Sequence, residues 1–212
     1  MLHIRLLIIL LIYVFTKISY GQQDLIYKAL YNNQYNYVNN YLVKNNFIKP
    51  NLKQEIQTYL SFLEISSQKY KENVIRENNK IDITHVFKLL NKGNYHFYKL
   101  SQNYTALRYY KDALEISYQI KNDVLTKECL KAILTTIATN DNMRGLVLFK
   151  EYINQFEDLA KTNEDNAWIT LYKFRFKTRH TSNIKKITPE FLRTSKAIVN
   201  KSNNHSLKGR FY

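Results

Sequence analysis

The sequence predicts an all-α fold, antiparallel helical hairpins stacked as an α-solenoid. Three observations carry that expectation. Apolar residues recur at helical spacing in most segments after Asp24, as in Ala106, Leu107, Tyr110, Ala113 and Leu114. Only four Gly and two Pro serve 212 residues, too little turn chemistry for the many tight reversals of a β-rich chain. A small residue followed one helical turn later by an aromatic opens two helices, Ala106/Tyr110 and Gly145/Phe149, 39 residues apart. The composition, 45% hydrophobic and 23% charged, suits one globular domain or one repeat array. Asn, Lys, Ile and Tyr are abundant together, as an A+T-rich genome yields without selection on function, so the 18 Tyr carry no weight by themselves.

Met1 to Gly21 reads as a secretory signal peptide. His3 and Arg5 precede the apolar run Leu6 to Phe15, and Ser19 and Gly21 hold the small-residue positions before Gln22. Ten uninterrupted apolar residues fall short of the roughly 20 that span a bilayer. Cleavage after Gly21 and export to the periplasm or medium are therefore expected, with membrane contact only through an uncleaved leader. From Asp24 to Asn46 the helical period is ragged, with Leu25, Leu30, Tyr37, Tyr41 and Leu42 inward and Asn32-Asn33 as a break. Pro50 opens the next element, because the residue before a proline is driven out of the helical region. Leu52 to Asn78 carries Ile56, Tyr59, Leu60 and Leu63 and, past Ser66-Ser67, Tyr70, Val74 and Ile75. Residues 22–81 thus read as degenerate N-terminal helical hairpins.

Asp82 or Thr84 caps the following helix, whose inner face holds Val86, Leu90, Phe97 and Leu100; Ser101 to Asn103 end it, since their side chains compete for backbone hydrogen bonds. In the next helix Arg108, Lys111, Asp112 and Glu115 lie off the apolar face. Asp123 caps a helix with Leu125, Cys129, Ala132, Ile133 and Thr136 on one side. Thr139 to Asn142 form a turn, and Gly145, Phe149, Tyr152, Ile153 and Phe156 follow. Trp168 and Leu171 open a further hairpin. Tyr172 to Arg179, YKFRFKTR, alternates as a strand would, but a lone strand has no ladder partner, so helix is expected. Thr188-Pro189-Glu190 combines a capping Thr, Pro at the first helical position and an acid in the first turn. Leu207 to Tyr212 read as the opening turn of another helix. The chain is accordingly expected to be part of a longer array, with Phe191, Leu192, Ser195, Ile198 and Val199 exposed and inviting self-association.

The stretch Leu89 to Ile120, LLNKGNYHFYKLSQNYTALRYYKDALEISYQI, resembles a tetratricopeptide repeat (TPR). Leu90, Gly93, Asn94, Phe97, Ala106, Tyr110 and Ala113 fall in the signature slots, with Asn94 where a glycine is usual. The steric reason is close approach: Ala106 and Ala113 let two antiparallel helices near each other, while Phe97 and Tyr110 fill the space to the next hairpin. The resemblance implies TPR-like repeats over about 82–121, 122–162 and 163–203 with an incomplete unit at 204–212. It also implies a concave groove for a protein or peptide ligand. A signal peptide followed by imperfect TPR-like hairpins is similar to the extracytoplasmic repeat regions of bacterial sensor kinases and helix-turn-helix regulators.

Chemistry is sparse. His3, His85, His96, His180 and His205 show no metal-ligand spacing, and phosphate loop, nucleophile elbow and kinase signature are all missing from the sequence. Catalytic, cofactor and metal residues are therefore not assigned, and no cofactor is expected. Glu157-Asp158 and Glu164-Asp165 read as solvated charge at helix ends. Cys129, on an apolar face, reads as a buried inert thiol. Asn103-Tyr104-Thr105 matches a glycosylation acceptor only as chance allows. The net charge of +15 is uneven, eleven Lys/Arg against Glu190 alone from Asn166 onward. Lys173 and Lys177 point away from Arg175 and Arg179 on a helix, which spreads charge rather than making a nucleic-acid stripe. Three functions stay open: a non-enzymatic exported protein-interaction scaffold, the sensory N-terminal segment of a truncated two-component or helix-turn-helix signalling protein, and a basic protein that binds an acidic partner, polyanion or surface. The groove residues are left unassigned, because the inward helix of each hairpin is not fixed by the pattern.

Overall fold

Side-chain caps, a proline and left-handed backbone turns set several of the helix boundaries. A computed structural model describes residues 21, 23–45, 48–63, 81–139, 145–180 and 189–204, and among them nine helices and no strand occur. They are α1 (residues 23–31), α2 (Tyr35–Lys44), α3 (Pro50–Ser61), α4 (Ile83–Tyr98), α5 (Asn103–Gln119), α6 (Asp123–Thr139), α7 (Gly145–Asp158), α8 (Asn163–His180) and α9 (Pro189–Asn200). The expected signal segment before Gly21, Tyr70, Val74 and Ile75, the turn after Thr139, Thr188, and Leu207 to Tyr212 lie outside the described residues. No helix among the described residues is long and apolar enough to cross a membrane.

Caps explain several boundaries. Asp82 accepts from the His85 N–H at 3.0 Å and starts α4. At α6 the cap is Asn122, whose Oδ1 accepts from the Leu125 N–H at 3.1 Å, rather than Asp123. Asp123 is already helical, and its carboxylate pairs with Lys161 at 2.8 Å on the surface. α1 and α5 end alike. Asn33 and Lys121 take positive φ (58° and 53°), and the next residue's N–H reaches back to Ala29 O at 2.8 Å and Ser117 O at 3.2 Å. That is the left-handed closure usually given to glycine.

Each helix packs on the next from α2 to α9, and α6 also touches α4 and α8. α6 is consequently buried around its circumference, with Lys127, Glu128 and Lys131 enclosed alongside Cys129, Leu130, Ile133 and Leu134. α4 and α5 form the tightest pair: Ala106 and Ala113 are fully buried, and Gly93 faces the Tyr110 ring so closely that a Cβ would overlap it. α1 crosses long sequence distances. Ile26, Tyr27, Ala29, Leu30 and Tyr31 are buried, Tyr27 lies 6.2 Å from the Phe87 ring of α4, and Tyr31 reaches α6 and α8.

Several expected inward positions move. Leu25 and Tyr37 are half-exposed, because α1 turns Ile26, Tyr27 and Leu30 inward and α2 buries Val38 with Leu42, one position round from Tyr37 and Tyr41. Leu100 falls beyond the end of α4 and is exposed. The alternating stretch of α8 is helical, and its pattern has a cause: two neighbours on different sides. Tyr172 and Phe176 point into the core, Phe176 stacked on Phe149 at 4.0 Å, whereas Phe174 stacks on Phe191 of α9 at 6.4 Å. α9 is not left bare as expected, since Ser195 and Val199 are buried and Phe191, Leu192 and Ile198 are half-covered.

A candidate binding groove beside a buried charge network

Where α1, α3, α6 and α8 meet, four charges are buried in two ion pairs. Thr162 and Asp165 open α8 with reciprocal capping. The Asp165 N–H donates to Thr162 Oγ1 at 3.1 Å, and the Thr162 and Lys161 N–H groups donate to Asp165 Oδ2 at 2.9 and 2.8 Å. The same carboxylate accepts from Lys127 Nζ at 2.8 Å and from the Tyr31 hydroxyl at 2.5 Å. Burial alone would raise the Asp165 pKa. The hydrogen bonds from Lys127, Tyr31 and the Lys161 backbone outweigh it and hold the carboxyl below its ordinary value. One turn along α6, Lys131 Nζ donates to Glu128 Oε2 at 2.8 Å and to the Tyr31 carbonyl at 3.2 Å, and the Tyr59 hydroxyl donates to Glu128 Oε1 at 2.5 Å. Lys131 also lies 4.3 Å above the Trp168 ring and 5.0 Å from that of Tyr31. Burial, then Asp165, pushes the Tyr31 hydroxyl far above its usual range, so it stays protonated and donates. The network is neutral and internally paired. Its role is to hold α1 against α6 and α8.

Beside this network opens a groove of about 200 Å³. Its walls come from α2 to α6 and from α8: Tyr35, Tyr59, Phe97, Tyr98, Tyr110, Thr135 and Tyr172, with Glu128 and Lys131 at one side and Arg175 at another. Most of the polar lining is satisfied internally. Tyr110 donates to Asn94 Oδ1 at 2.7 Å, and Tyr172 donates to the Lys131 carbonyl at 3.1 Å while Thr135 Oγ1 lies 3.2 Å away. Arg175 differs: it is half-buried, and no described carboxylate pairs with its guanidinium. With Glu128 and Lys131 cancelling, the groove carries one net positive charge. A larger cleft of about 390 Å³ lies between α8 and α9, but Lys173 on its wall is already neutralised by Glu157.

No group of His, Cys, Asp or Glu suited to a metal ion occurs among the described residues. Cys129 is fully buried, and burial raises its thiol pKa. Glu157 is surface charge, as expected, but Asp165 is not. Two sequence signals pointed to it: the Thr162-x-x-Asp165 capping box, and Lys127 with Lys131 one turn apart in an otherwise apolar helix. Comparison with protein-family models, with curated proteins and with solved structures finds no match.

Proposed function

We propose that the chain is an exported, non-enzymatic interaction module of TPR-like stacked hairpins, whose inner face takes an extended segment of a protein partner bearing an acidic residue. The observation that carries this reading is Arg175, a half-buried guanidinium with no ion pair among the described residues, on the wall of a tyrosine-rich groove. A guanidinium in partial burial favours a planar carboxylate that it can hold with two parallel hydrogen bonds. The tyrosines supply contact area at low entropy cost. α1 supports the reading as well, since a helix of the same chain is already held on this side of α6 and α8 by apolar burial and a tyrosine.

The test is selection of peptides from a random displayed library on the full chain. Selected peptides should carry Asp or Glu, and Arg175→Gln should weaken them by about tenfold or more, about 1.4 kcal/mol. Peptides without an acid, bound equally by Arg175→Gln, would remove the basis of the proposal.

A further inference from the structure

We propose a second binding surface, separate from the groove, on the α4–α5 hairpin: an oxyanion site centred on Tyr109 whose ligand is a sulfated polysaccharide. Lys92 Nζ lies 5.3 Å from the Tyr109 ring centroid, the Arg108 guanidinium carbon lies 5.8 Å from it, and the His96 imidazole stacks on it at 5.3 Å with planes 24° apart. Three basic side chains share one phenol ring. None has an ion pair among the described residues, and Arg108 does not pair with Asp112 one turn along α5. His96 Nδ1 contacts Gln102 Oε1 at 2.8 Å, which fixes the ring without supplying charge. An attractive ring face offsets only part of the repulsion among clustered cations. The group that completes the cluster is an anion.

The spacing favours a polymer over a free ion. Lys88, Lys92 and His96 follow one another at four-residue intervals on one side of α4, so basic positions repeat about every 6 Å along the helix. A single oxyanion would meet partly exposed charges screened within about 8 Å at physiological salt. Linked oxyanions gain from simultaneous contact. The aromatic surface favours a polysaccharide over nucleic acid, because single-stranded nucleic acids bind by stacking bases on open rings, and Tyr109 is already covered by the imidazole and the two cations.

Heparin is the probe, titrated against the full chain over a range of NaCl concentrations. Lys92→Gln/Arg108→Gln should lower the slope of log Kd against log salt by about two, roughly one per lost contact, and weaken binding at least tenfold at 0.15 M salt. Arg193→Gln/Lys196→Gln removes the same charge from exposed positions of α9 and should change Kd by less than about threefold. Circular dichroism and melting of both variants verify that they fold. Equal losses in the two variants would mean attraction by net charge alone and would overturn the site, as would a wild-type chain that does not bind heparin. RNA of matched charge that binds more tightly than heparin through Lys92 and Arg108 would overturn the polysaccharide assignment.

Discussion

At position 93 a hydrogen is the largest side chain that the Tyr110 ring tolerates. A Cβ there would come within 2.9 Å of Tyr110 Cζ and nearer still to the adjacent ring carbons, and the ring is tethered by its hydrogen bond to Asn94. Helix propensity argues the other way, since Ala in a helix interior is favoured over Gly by about 1 kcal/mol. Gly93→Ala is therefore a discriminating substitution: denaturant unfolding should show a loss of roughly 1 to 3 kcal/mol from overpacking, whereas a gain would mean that α4 and α5 are further apart. Asp165 makes a second residue-scale case. Asp165→Asn leaves Lys127 buried without its counter-charge, and should cost about 3 to 5 kcal/mol at neutral pH. The pH dependence follows from the lowered carboxyl. Its contribution is complete above the unfolded value of about 3.9 and is lost as pH falls through the folded value. The gap between the melting temperatures of wild type and variant should begin to close below about pH 4 and vanish only below the lowered folded value; a constant gap down to pH 2 would show that the carboxylate charge is not what Lys127 requires.

Among the elements, those with strong local chemistry were legible in the sequence, and those set by distant neighbours were not. Pro50, Asp82 and Pro189 mark the starts of α3, α4 and α9 as expected, because caps and proline act within one turn of chain. The inward faces of α5 and α7 were equally readable. α1 and α2 misled because which side is covered depends on α4, α6 and α8, far along the chain, and Asp165 misled because its partners Lys127 and Tyr31 are 38 and 134 residues away. The groove was unreadable for the same reason: Tyr35, Asn94 and Arg175 share no periodic signal. The basic stripe Lys88, Lys92 and His96, by contrast, lay open at helical spacing, but only the fold brings Tyr109 beneath it. A left-handed residue at a helix end is also an element-scale opportunity. Lys121→Gly relieves the Cβ penalty at φ 53° and should raise stability by about 1 kcal/mol, read as a higher melting temperature; a lower one would show that the Lys121 side chain contributes more than its backbone conformation costs.

For the whole molecule, the expected export and the proposed binding are linked by the position of α1. Residues 23–31 begin just past the expected cleavage point and bury five side chains, Ile26, Tyr27, Ala29, Leu30 and Tyr31, against distant helices. A leader removed after Gly21 leaves all five of these side chains in the mature chain, whereas removal beyond Leu25 would take away part of the core. The mass of the exported chain should therefore correspond to a Gln22 start, and a start beyond Leu25 would contradict both the leader and the structural role of α1. The groove next to α1 is the centre of the proposed function, and amide chemical-shift mapping on the labelled full chain, titrated with an acidic library-selected peptide, tests it most directly. Binding there should shift Asn94, Tyr98, Thr135 and Arg175 while leaving the α8–α9 cleft around Phe191 and Thr194 unchanged. Shifts confined to that cleft, or to the surface around Tyr109, with Thr135 and Arg175 silent, would contradict it.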